Sequence, residues 1–65
     1  MYVSDAAITK MLRDAGASRI SKDAKRELRK YVDKVGFEVA QKAVKLSKHA
    51  KRKTIVLSDI KLATD

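Results

Sequence analysis

The chain has 65 residues, 16 Lys and Arg against 8 Asp and Glu, and a formal net charge of +8. It contains no Cys and no Pro, and 45% of its residues are hydrophobic. This length permits one small domain, residues 1–65, whose core is marginal without a disulfide, a metal or a second chain. Disulfides are excluded, and a lone His49 without thiolates makes a structural zinc site unfavourable. No cofactor or metal is expected, and oligomerisation is the remaining route to a stable core. No apolar run approaches the roughly 18 residues of a membrane span, and the N-terminus lacks a signal-peptide core. The reading is of a cytoplasmic protein with no membrane partner, whose one-signed charge attracts a polyanion, nucleic acid first.

The apolar spacing is helical almost throughout. Ile8, Met11, Leu12 and Ala15 recur at i, i+3, i+4 and i+7 and predict a helix over residues 5–15. Ser4 serves as its N-cap, Asp5 complements its dipole, and Gly16 supplies the left-handed residue after its end. A connector over residues 17–21 ends in Ser21, a second N-cap.

A long helix over 22–50 follows. Ala24, Leu28, Tyr31, Val32, Val35, Val39, Ala43, Leu46 and Ala50 keep steps of one, three or four. At about 1.5 Å per residue it is about 43 Å long. A compact chain of this size has a diameter of only roughly 28 Å. The chain cannot cover such a helix, and a second copy is the simplest partner. Small residues around Gly36 permit two helices to cross closely, the favoured reading over a merely tolerated helical glycine that costs about 1 kcal/mol. The pairs Asp23/Arg26, Arg29/Asp33 and Glu38/Lys42 have supportive spacing for a solvated face.

Beyond this helix, Lys51-Arg52-Lys53 forms a basic turn and Thr54-Ile55-Val56-Leu57 a short β-prone run. Ser58 is expected to cap a final two-turn helix that buries Ile60, Leu62 and Ala63. Five Lys or Arg and one His lie between Lys45 and Lys53 with no acid among them. Lys51–Thr54 thus assemble basic side chains, backbone amides and a hydroxyl, the inventory that clamps phosphates, or else a solvated turn. Nothing supports catalysis: there is no Cys nucleophile, no Gly-rich phosphate loop, and one imidazole in a helix's last turn. No enzyme and no small-molecule substrate are expected.

Several segments are distinctive: Asp14-Ala-Gly-Ala, Arg19-Ile-Ser, Ala43-Val-Lys-Leu-Ser-Lys-His-Ala, Arg52-Lys-Thr-Ile and Asp59-Ile-Lys-Leu-Ala. Together they resemble a single histone-fold protein of the archaeal type from position 5 to 63, and His49–Thr54 also resembles a segment of one eukaryotic core histone. The resemblance implies an all-α histone fold: short helix, long helix and short helix joined by β-bridging connectors. Two chains would form a handshake homodimer, with Leu28, Tyr31, Val32, Val35, Gly36 and Val39 at the dimer core. It implies double-stranded DNA as partner and a place on the chromosome or nucleoid, where the dimer compacts DNA by bending or wrapping it with little sequence specificity. Arg19 matches the arginine that enters the minor groove, and Arg52, Lys53 and Thr54 match paired-loop phosphate contacts. Lys10 and Arg13 match first-helix positions near the backbone. Arg52 also matches the partner of a structural salt bridge to Asp59, so its role stays divided. Leu46, His49, Asp59 and Leu62 match the surface through which dimers join into tetramers or longer assemblies.

Departures from the family pattern exist. Lys51 stands where the archaeal pattern has Gly, so the long helix must end without glycine's freedom or avoid a positive φ. Arg26, Lys30 and Lys34 form a positive row where acidic residues are frequent. The alternative function is a histone-fold heterodimerisation subunit of a transcription or replication complex; a third is a basic module that prefers RNA.

Overall fold

The computed structural model describes residues 1–65, which form three helices: α1 (Asp5–Asp14), α2 (Lys22–His49) and α3 (Leu57–Thr64). The chain is all-α, and its short–long–short order is consistent with a histone fold. No helix is long and apolar enough to cross a membrane. The residues group into two compact units, Met1–Lys34 and Val35–Asp65, whose boundary falls within α2.

In the first unit, Ser4 is the N-cap of α1 and its hydroxyl accepts the Ala7 N–H at 3.0 Å. At the other end Gly16 adopts φ +110°, a conformation that L side chains rarely take. Its N–H donates to the Arg13 carbonyl, while the Ala17 N–H donates to the Leu12 carbonyl at 2.9 Å. These two bonds complete a Schellman motif and satisfy carbonyls that the helix leaves open. Ser21 starts α2 in the same way as Ser4 starts α1, its hydroxyl accepting the Ala24 N–H at 3.1 Å.

Two ties join α1 and its leading residues to α2. Asp33 Oδ1 accepts the backbone N–H groups of Tyr2 and Val3, at 3.2 and 2.9 Å. Arg29 Nη1 lies 3.4 Å from Asp5 Oδ1. The Arg29/Asp33 pair expected from spacing therefore does not form, because each partner has a tertiary alternative. Asp23 and Arg26 do approach, at 3.6 Å, while Glu38 and Lys42 form no ion pair. Ile8 is the one fully buried large side chain of this unit.

In the second unit, α2 ends in another Schellman motif. The Lys51 N–H donates to the Lys48 carbonyl at 2.9 Å and the Arg52 N–H to the Ser47 carbonyl at 3.0 Å. Lys51 occupies the left-handed position with φ 58°. The turn is thus kept and the lysine accepts a conformation that costs an L residue about 1–2 kcal/mol. The β-prone run forms no strand: Leu57 already belongs to α3, and a strand requires a second one to pair with.

The start of α3 corrects the expected Ser58 cap. Val56 is the N-cap, in extended conformation with φ −115° and ψ 169°. Valine has no side-chain acceptor, so the end is closed from inside the helix. Asp59, three residues on, accepts the Val56 N–H on Oδ2 at 2.9 Å, and the Asp59 N–H donates to the Val56 carbonyl at 3.0 Å. This is the acidic half of a capping box.

Very little apolar surface is withdrawn from water. Besides Ile8, the buried apolar side chains are Ala43 and Ala63. Of the α2 stripe, Tyr31 is 65% exposed, Val35 is exposed, and Leu28, Val32 and Val39 are half-buried. In α3, Leu62 remains 61% exposed and Ile60 is also open, so Ala63 alone of the three expected residues is buried. These exposed side chains form the apolar supply of a core that one chain does not close.

Candidate nucleic-acid interface

Each of the two connectors is held by its Schellman turn and by an arginine. In connector one, Arg13 Nη1 donates to the Ser18 carbonyl at 2.7 Å and lies 3.5 Å from that of Ala17. A cation in the last turn of α1 also complements the helix dipole. Arg13 therefore braces the loop that carries Arg19. Arg19 is exposed and makes no hydrogen bond or ion pair, and it lines a surface depression with Arg13, Ser18, Ile20 and Ser21. Lys10 donates to Asp14 Oδ2 at 2.9 Å on an exposed face. Such a pair is weak and exchangeable, so Lys10 keeps much of its availability to an anion.

Connector two is built around a carboxylate. Arg52 and Asp59 meet in a bidentate pair, Nη1 to Oδ2 and Nη2 to Oδ1, both at 2.8 Å. Asp59 is only 2% exposed. Fork-to-fork pairing is the strongest form of this contact, and burial of the acid restricts water's competition for it. The Arg52 guanidinium beside Asp59, with the Val56 N–H, lowers the carboxyl to about 2 against an opposing cost of desolvation. The same carboxylate holds Arg52 above the ordinary arginine range.

Arg52 Nη1 also donates to the Thr54 carbonyl at 3.0 Å. Ser47, 3% exposed in α2, directs its hydroxyl at the carbonyls of Arg52 and Thr54, both at 3.1 Å. One hydroxyl hydrogen is shared between those two acceptors. The loop backbone is thus gripped from α2 by Ser47 and from α3 by Asp59. Lys51, Lys53 and Thr54 are exposed on its outside.

Of the four residues expected at a surface between dimers, Leu46, His49 and Leu62 share one surface depression of about 410 Å³ with Lys42, Lys45 and Ala63. Leu46 is half-buried, while His49 and Leu62 are exposed. Asp59 does not line it. Its Oδ2 accepts two hydrogen bonds and its Oδ1 one, which leaves acceptor capacity on Oδ1 alone. No group of three or more His, Cys, Asp or Glu is placed to hold a metal ion.

Sequence reasoning did not single out Ser47, and it named Asp33 and Arg29 only as a pair on a solvated helix face. Ser47 was detectable in principle, as a polar residue one position from Leu46 on the apolar side of α2. The other two were concealed by plausible helix-local partners.

Comparison with known proteins adds to this geometry. Residues 2–64 match the family described as histone-like transcription factor (CBF/NF-Y) and archaeal histone. One chain of the archaeal histone HAN1 from Thermococcus zilligii is 41% identical over 58 residues, 89% of this chain and 87% of that one. A probable archaeal histone 3 from Methanocaldococcus jannaschii is 40% identical over the same shares.

Proposed function

Because the chain belongs to the family of histone-like transcription factors and archaeal histones, we infer that it is an architectural DNA-binding histone. It packages duplex DNA through the phosphate backbone and minor groove, with little sequence preference, and acts on the chromosome in the cytoplasm rather than as an enzyme.

The observation that carries this reading is the build of the two connectors. Each is braced by its own arginine, so that Arg19 in one and Lys53 with Thr54 in the other remain available to phosphates. Lys10 and Arg13 add charge beside the first. Arg52 acts chiefly through Asp59 and Thr54, shaping the loop that presents its neighbours, and its residual exposure adds field rather than a directed contact.

The working unit is a homodimer of single histone-fold domains, residues 1–65. Its core is Leu28, Tyr31, Val32, Val35, Gly36 and Val39 of two crossed α2 helices. The exposure of Tyr31 and Val35 supports this, as does Gly36, beside which an added Cβ meets nothing within 4 Å in the single chain. That space is where a second helix approaches. Leu46, His49 and Leu62, with Asp59 behind them, form the surface for joining dimers. His49→Ala should leave the dimer intact and weaken tetramers; unchanged tetramer formation removes His49 from that role.

Binding to duplex DNA across a salt series tests the function. The logarithm of affinity should fall by about 0.9 per logarithmic unit of salt for every phosphate neutralised. A flat dependence refutes the reading. Arg19→Ala should weaken binding while light scattering still gives a dimer mass, and a chain that aggregates or stays unfolded alone points instead to an obligate heterodimer. Nuclease digestion of saturated DNA then separates wrapping, which gives stepped protected lengths, from coating, which gives none.

A further inference from the structure

The positive row on α2 is not used by the connectors. Lys22, Lys25, Arg26, Arg29 and Lys30 follow the spacing i, i+3, i+4, i+7 and i+8, which places them on one helix face. They line a surface depression of about 430 Å³ together with Asp5. The depression shares no residue with the one around Arg19, although both lie within Met1–Lys34. Five cations thus face one acid. Asp5 sits 3.4 Å from Arg29, and Asp23 only grazes Arg26 at 3.6 Å with both side chains largely exposed. Glu27 does not line the depression.

Arg29, like Lys25, is half-buried, and its Nε is covered by the chain without a hydrogen-bond partner. The first turn of α2 adds its positive dipole end nearby. The row also continues to Lys34, one further i+4 step, so it runs along α2 and away from connector one. Its charges advance in steps of roughly 6 Å along the helix axis, a linear array suited to a phosphate backbone.

We propose that this face of α2 is a second DNA-binding site, which takes the phosphates of another duplex segment, so that one protein assembly joins two stretches of DNA. This rests on the histone reading for the first segment and adds a separate surface for the second.

The test uses a bead-tethered duplex saturated with the full-length protein, washed, and exposed to a labelled free duplex at low salt. Wild-type protein should capture the free duplex. Lys25→Gln/Arg26→Gln/Lys30→Gln should reduce capture at least tenfold while changing affinity for a single free duplex less than threefold. For a charge-matched control, Lys25→Gln/Lys30→Gln should lose capture while Lys48→Gln/Lys61→Gln, at exposed positions outside both the row and the surface for joining dimers, should retain it. Helicity and dimer mass are checked for each. If the triple variant does not fold, Lys30→Gln alone, at an exposed position without an ion pair, should still cut capture about threefold.

Undiminished capture by the α2 variants overturns the proposal, as does equal loss in the charge-matched control. An equal loss of single-duplex affinity also overturns it, because the face would then lie on the path of the first duplex. If wild-type protein binds one duplex and never captures another, the second site fails while the histone reading stands. If it binds neither, the histone reading itself fails.

Discussion

Replacing Lys51 with glycine should stabilise the protein, and the structure supplies the sign and the size. Lys51 sits at φ 58° in the turn that ends α2, with its side chain exposed and without a partner. The substitution removes the steric cost of a left-handed L residue, about 1–2 kcal/mol. It adds the greater backbone freedom of glycine in the unfolded chain, about 0.5–1 kcal/mol. The net gain is about 0.5–1 kcal/mol per chain, and twice that for a dimer whose chains unfold together. In thermal unfolding followed by circular dichroism, that corresponds to a rise of roughly 3–8 °C in Tm. Protomer concentration must be equal in all samples, because the Tm of a dimer depends on it. Lys51→Ala is the control, since it removes the charge but keeps the Cβ and hence the strain. Gly16→Ala should move the other way by about 0.5–1 kcal/mol, the same two contributions with their signs reversed, since a Cβ there meets nothing beyond its own backbone conformation at φ +110°. If Lys51→Gln, Lys51→Ala and Lys51→Gly prove equally stable, the strain attributed to the turn does not exist.

The Arg52–Asp59 pair predicts an acid-dependent stability. With Asp59 lowered to about 2 in the folded chain and near 3.9 when unfolded, its contribution is complete above pH ~4 and disappears as pH falls towards 2. Asp59→Asn should lower Tm at neutral pH and flatten the profile between pH 4 and 2; an unchanged profile in acid titration contradicts this. Connector two separates shape from contact. Arg52→Gln should lower Tm and weaken DNA binding together, whereas Lys53→Gln should leave Tm within about 2 °C and reduce the salt slope by about 1. Unfolding and fluorescence anisotropy on the same samples decide between them.

Local signals were readable without tertiary information. Ser4 and Ser21 cap their helices through N–H groups three residues ahead, and Gly16 closes α1, because these contacts lie within a few residues of chain. The length of α2 also follows from its unbroken spacing, and with it the need for a partner. What escaped depends on residues distant in sequence. The α3 start moved from Ser58 to Val56, since the Asp59 carboxylate, fixed by Arg52, outcompetes a serine hydroxyl as the cap. Arg29 turned from Asp33 to Asp5, and Asp33 to the Tyr2 and Val3 amides, once folding brought α1 against α2.

The sequence by itself therefore determined the helices, the excess of positive charge and the shortage of core that makes a second chain necessary. Only the tertiary structure decided how that charge is divided. It assigned Arg13 and Arg52 to bracing the connectors and left Arg19, Lys53 and the α2 row facing outward. Charge counts with its sign along a sequence, but its use depends on which carboxylate or carbonyl folding places within 3 Å, and that is a property of the packed chain.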